Sequence, residues 1–151
     1  MIGTNHLATG AVIALAVHNP LLALPLAFAS HFVLDSVPHF GFKTDGFATV
    51  FKHKISYFAL SLEVVMFVLL AYLIRNAGVW VFVGALVAGS PDSVWLARYF
   101  VWERQGKNPP SYTNGPLTRF HGKIQWCERP WGLVVDIIWL CTMTFAITKL
   151  I

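Results

Sequence analysis

Residues 54–74 read KISYFALSLEVVMFVLLAYLI, with Glu63 as the one carboxylate between Lys54 and Arg75. Crossing the hydrocarbon core of a bilayer takes about 20 mostly apolar residues. This stretch meets that length, and it decides the class: an integral membrane protein. Arg75-Asn76-Ala77-Gly78 forms a turn. Val79 to Gly89 then returns through the membrane. Ser90-Pro91-Asp92 interrupts the helix, with Ser90 as N-cap and Pro91 at the first helical position. The helix restarts and runs to Trp102. Residues 103–130 form a long polar loop, and loops of such length are mostly functional or disordered. Its Trp, Tyr and Phe residues point to order at a membrane interface. Trp131 to Leu150 is a last span, carrying Asp136.

Upstream of residue 54, Leu7 to Val17 is an apolar helix that Thr4 or Asn5 can cap. His18-Asn19-Pro20 turns the chain, and Pro20 to Val37 is a second apolar helix with a bend expected at Pro25. The first is short for a span, so the pair reads as a hairpin that enters the bilayer and packs on the other helices. Residues 39–53 form a mixed polar loop. The fold class is therefore all-α: a polytopic membrane bundle of four to five helices, with an N-terminal hairpin and a long cytoplasmic loop.

Composition agrees. Of 151 residues, 56% are hydrophobic and only 12% are charged, about half the share of a soluble domain. Residues 1–151 form a single integral membrane domain, without repeats or low-complexity tracts. The first apolar segment lacks a basic leader and is expected to stay in the mature chain. Cys127 lies in the polar loop and Cys141 inside the last span, so no disulfide is expected. The formal charge is +4; it fits loops facing anionic lipid, and no nucleic-acid partner is expected.

Antiparallel tracing brings the ends of helices one and two, the 39–53 loop, Asp92 and the 103–130 loop to one side. Lys43, Lys52, Lys54, Arg98, Arg104, Lys107, Arg119, Lys123 and Arg129 fall there; Arg75 and Lys149 fall opposite. The positive-inside rule makes the first side cytoplasmic.

The same side collects metal-ligand residue types. His31 and Asp35 lie one helical turn apart and share a face. Pro38 turns the chain out and lets His39 point back. Imidazole and carboxylate suit zinc, manganese or iron. A simple His–Asp hydrogen bond satisfies the same spacing. His6 begins helix one beside His31. Asp92 is either an ordinary first-turn residue or part of a site on a broken helix. Glu63 and Asp136 can reach the same cavity as ligand, general base or hydrogen-bonded helix contact. His121, between Arg119 and Lys123, sits among groups that bind phosphate or lipid headgroups. The six tryptophans fit an aromatic belt.

Thr4-Asn5-His6-Leu7-Ala8-Thr9-Gly10, His31-x-x-x-Asp35-x-x-Pro38-His39 and Gly89-Ser90-Pro91-Asp92, in that order, resemble the YdjM-like family of inner-membrane, metal-dependent hydrolases. The likeness covers residues 1–40 and extends to the Asp92 motif. It implies a metal set of His6, His31, Asp35, His39 and Asp92. The expectation is a hydrolase in the cytoplasmic (inner) membrane of a bacterium or archaeon. A divalent metal, zinc foremost, would activate water, with Asp35, Asp92 or Glu63 as proton acceptor. Arg98, Arg104, Arg119, His121 and Lys123 would hold a phospholipid or another phosphate-bearing substrate. The competing expectation is a non-catalytic structural or regulatory subunit, bound to other membrane proteins, whose buried polar groups serve packing.

Overall fold

The computed structural model describes residues 1–41, 54–108 and 115–151. Among the described residues, three helical runs are long and apolar enough to cross a membrane: Lys54–Ile74, Val79–Gln105 and Pro130–Leu150. The first is α3. The second joins α4 (Val79–Gly89) to α5 (Ser93–Val101) through a 3₁₀ turn, Ser90–Asp92, and ends in another, Glu103–Gln105. The third is a 3₁₀ turn, Pro130–Gly132, followed by α7 (Leu133–Leu150). Val64, Val68 and Leu69 of α3 and Ile138 and Phe145 of α7 are exposed. Apolar side chains turned outward over whole helices suit a surface that meets lipid.

The hairpin sits against these runs. α1 (Gly3–Val17) and α2 (Pro20–Asp35) are joined at His18, whose φ of 53° is left-handed. The Asn19 side chain accepts the Leu21 N–H at 3.0 Å, and Pro20 opens α2. Pro25 is accommodated inside α2. The apolar pattern carries this helix to Val37, yet it stops at Asp35. Pro38 disfavours helical backbone at the residue before it.

α1 is the central helix and packs on α2, α4 and α7. Its buried residues include Ala8, Gly10, Ala11 and Ala14, and those of α4 include Gly84 and Ala88. Small residues four apart let two backbones approach, the usual device for packing helices in lipid. A β-carbon at Gly84 would stand 2.8 Å from that of Ala14, and one at Gly10 would stand 2.6 Å from that of Ala88. Below this contact Ala8, Ala11, Ala14, Leu70, Ile74, Val81, Ala85 and Ile147 form the apolar core. It fills the end of the bundle away from His31 and Asp35.

With 15 residues, α1 covers about 22 Å at 1.5 Å per residue, short of the roughly 30 Å hydrocarbon layer. Its first turn lies inside the bundle, where water is scarce and backbone donors need partners. Neither Thr4 nor Asn5 caps it; the N-cap is Ile2, without a side-chain bond. Two carboxylates from other helices take that role instead. Asp136 accepts the Ile2 N–H at 3.1 Å, and Glu63 accepts the Thr4 N–H. Negative charge is favoured at that end of the helix dipole. Both acids within spans are thus explained by the start of a short helix. Glu63 lies nine residues into α3, so this start is about 14 Å along that helix from Lys54.

Two further elements differ from the sequence reading. Ser90 does not cap: its hydroxyl bonds back to the Val87 carbonyl at 2.8 Å, and the backbone passes through the 3₁₀ turn without breaking. The second is α6 (Pro116–Ile124), in the stretch read as a loop. Counting Val79–Gln105 as one helix, the described residues form six helices where four to five were expected. A short parallel pairing of β1 (His39–Phe40) with β2 (Glu128–Arg129) ties the segment after the hairpin to the start of the last span. Gly132 is required there, since a β-carbon would stand 2.6 Å from the Cα of His39. Lys43, Lys52 and His53 lie outside the described residues.

Candidate metal centre

His31 is placed by its backbone and by α4. Its Nδ1 meets the Ala88 carbonyl at 2.8 Å, and only an N–H can satisfy that oxygen. The neutral ring then carries a lone pair on Nε2, the tautomer a metal ligand requires. One turn later Asp35 sets Oδ2 at 3.2 Å from that nitrogen. α6 brings His121 across, with Nε2 at 2.6 Å from the same oxygen and 3.1 Å from His31 Nε2. The 3₁₀ turn supplies Asp92, whose Oδ1 is 3.6 Å from His31 Nε2 and 3.7 Å from His121 Nε2. His31, Asp35, Asp92 and His121 each offer one ligand atom, all within 4.8 Å of one another.

The donor set and its spacing fit a small divalent cation. Five edges of this four-atom figure run from 2.6 to 3.7 Å. A tetrahedron with bonds of about 2.0–2.1 Å has edges of about 3.3 Å. Two neutral imidazoles and two carboxylates also balance a charge of two. Three of the ligand side chains are buried, whereas that of Asp92 is 30% exposed. The open direction therefore lies on the Asp92 side.

The neighbours of the group are also defined. Trp95 directs its indole N–H at His121 Nδ1, 3.2 Å away. Gln125 Nε2 lies 3.3 Å from His121 Nε2. His6 stacks on His31 with ring centroids 3.9 Å apart, and its Nε2 is 3.1 Å from Asp35 Oδ1. The Met1 amino group also meets Asp35 Oδ1. Asp136 is fully buried and bonded by the backbone N–H groups of Ile2 and Phe40 and by the Asn5 amide.

The structure thus gathers His6, His31, Asp35 and Asp92 in one place, with His6 on the far oxygen of Asp35. His121, expected to face substrate, stands among the ligands. His39 is set apart, beside the β pairing. Its Nδ1 donates to the Val37 carbonyl at 2.7 Å, and its Nε2 is 3.9 Å from Glu128 Oε1. Burial holds the His39 pKa below the usual histidine value. Burial also pushes Glu128 up to about 7. The two make no firm ion pair. Glu63 is engaged at the start of α1. Arg98 lies 3.8 Å from Glu103 and over the Trp95 ring. Arg104, Arg119 and Lys123 are exposed.

The sequence reading did not single out Trp95 or Gln125. The signal for α6 was present: Gly115 precedes Pro116, Pro is favoured at a first helical position, and Lys123 closes the last turn. Leu117, Phe120 and Ile124 recur at helical spacing, with His121 beside them.

Compared with family models, curated proteins and solved structures, the chain matches none. Fold and site together define a helical bundle with three helices able to cross a membrane and a histidine–aspartate group able to hold a metal ion.

Proposed function

We propose that this protein is a membrane-bound metal-dependent hydrolase acting on a phosphoester or lipid-linked substrate. The carrying observation is the convergence of His31, Asp35, Asp92 and His121 from three separate elements inside a lipid-facing bundle. Ionisable groups at such depth are costly and usually functional. The resemblance to the YdjM-like family supports the same reading. The basic excess on the side bearing the site favours the cytoplasmic face of a bacterial or archaeal inner membrane.

Two imidazoles and two carboxylates at this spacing would hold zinc. The ion supplies Lewis-acid polarisation of a phosphoryl oxygen and makes water more acidic. The rest falls to the chain. The Ala88 carbonyl orients His31 through its Nδ1, leaving Nε2 to the ion beside Asp35. Asp92, with its open side, accepts the proton of the attacking water. Arg98, Arg104, Arg119 and Lys123 attract the phosphate group of the substrate. Burial of His31, Asp35 and His121 keeps bulk water away, which strengthens these interactions.

The test is phosphate release from phosphatidic acid vesicles by zinc-loaded protein in lipid nanodiscs. Wild-type turnover with loss in folded His31→Ala and Asp35→Ala is expected; activity unchanged in both variants would refute the reading. Substrate scope is then set by comparing short soluble phosphoesters.

One observation favours a second reading, a non-catalytic subunit of a membrane complex. The Trp95 N–H aimed at His121 Nδ1 places the neutral ring's proton on Nε2, where it donates to Asp35. That network closes by hydrogen bonds alone. It predicts metal-free protein that co-purifies with larger partners and tolerates Asp92→Ala.

A further inference from the structure

Asp35 has two working oxygens. Oδ2 faces His31 and His121, at 3.2 and 2.6 Å. Oδ1 faces His6 Nε2 at 3.1 Å. His6 is fully buried, and among the described residues neither of its ring nitrogens has a hydrogen-bond partner. Its Nε2 lies near Oδ1 but off the direction that a hydrogen bond needs. A buried imidazole without a hydrogen bond is costly, and a ligand on Nε2 relieves it.

The stacking supplies a length. The His6 and His31 rings are 3.9 Å apart and inclined by 23°. Their Nε2 atoms stand beside different oxygens of the same carboxylate, at 3.1 and 3.2 Å. Ions held by two stacked rings on the two oxygens of one carboxylate would stand about as far apart as the rings. Paired metals in phosphoester-cleaving sites stand about 3.5–4 Å apart. The place beside Oδ1 also accommodates positive charge, since the Met1 amino nitrogen reaches it.

We infer that Asp35 is the bridging carboxylate of a two-metal centre, with a second divalent cation held by His6 Nε2 and Asp35 Oδ1. The inference rests on the metal reading of the first position. Water or phosphoryl oxygens complete the second coordination shell. A pair of ions flanking one carboxylate suits a phosphate monoester or diester, whose attacking and leaving oxygens each gain a cation.

Manganese tests it, because the ion reports its own neighbours. Protein in nanodiscs is dialysed against Mn²⁺, and bound metal is counted beside the electron paramagnetic resonance spectrum. Two ions per chain with an exchange-coupled spectrum are expected. Folded His6→Ala should fall to one ion with an isolated six-line signal. One uncoupled ion in the wild type overturns the pair and leaves the single-metal reading standing. No bound ion overturns both. Two ions retained in His6→Ala remove His6 from the site. The wild-type count decides even where the variant fails to fold, and His6→Gln offers a closer replacement.

Discussion

Gly10→Ala tests the packing that positions the site. The added β-carbon would collide with the Gly84 carbonyl oxygen and stand 2.6 Å from the Ala88 β-carbon and 2.9 Å from the Gly84 carbonyl carbon. Carbon atoms settle at about 3.5–4.0 Å, so α1 and α4 must part by roughly 1 Å. Overpacking of this kind costs about 1–3 kcal/mol, against about 0.5–1 kcal/mol gained by removing glycine from a helix. The net loss is about 1–2 kcal/mol. For a chain of this size that lowers Tm by about 2–8 °C. Gly122→Ala is the control: it lies in α6, and nothing stands within 4 Å of its added carbon. The comparison cancels helix propensity and leaves the clash. Thermal unfolding in one detergent reads both variants. Zinc affinity should fall with Gly10→Ala as well, because the Ala88 carbonyl holds His31. A Gly10→Ala protein as stable as the Gly122→Ala control would show that the close approach of α1 to α4 is not what sets this geometry.

Asp136→Asn should destabilise by about 1–3 kcal/mol, because one oxygen that accepts N–H groups becomes an amide donor facing them; an unchanged Tm would remove Asp136 as the support of α1. Glu128 predicts a pH dependence. Its folded pKa, raised by burial from 4.5 to about 7, means the folded state binds the proton more tightly. Its contribution to stability is therefore fully present below about pH 4.5 and is lost as pH rises towards 7, by up to about 3 kcal/mol. Glu128→Gln should flatten that slope in melts taken across this range, and an identical slope in the variant would exclude Glu128 as its source. Trp95→Phe should leave the fold intact and raise zinc affinity, because the indole N–H holds neutral His121 in the tautomer whose Nε2 carries the proton; equal affinities by calorimetry would leave Trp95 a packing residue only.

The class of fold was legible because lipid writes itself into composition. Residues 54–74 need no tertiary information to read as a span. The hairpin was legible from Asn19-Pro20 and from the short apolar segments flanking it. The His31–Asp35 pair followed from helical spacing alone. The caps of α1 were not legible, since they come from Glu63 and Asp136, far away in the chain. A carboxylate inside an apolar span looks the same in sequence whether it serves catalysis or a backbone N–H. α6 was obscured by the Gly, Pro and charged residues around it, although its first-turn Pro116 marked the start. With α6 unrecognised, His121 read as a substrate-binding loop residue rather than a metal ligand. His39 shows the reverse error of proximity. Four residues from Asp35, it is carried off by the pairing with Glu128 and Arg129, too short to leave an alternating pattern.

The most direct measurement is X-ray absorption of zinc-loaded protein in lipid nanodiscs. The account predicts stoichiometric zinc with a nitrogen and oxygen shell at about 2.0–2.1 Å, imidazole scattering from at least two histidines, and no sulfur. That signal should vanish in Asp35→Asn. A protein that takes up no stoichiometric zinc, or holds it without imidazole, contradicts the centre built on His31, Asp35, Asp92 and His121.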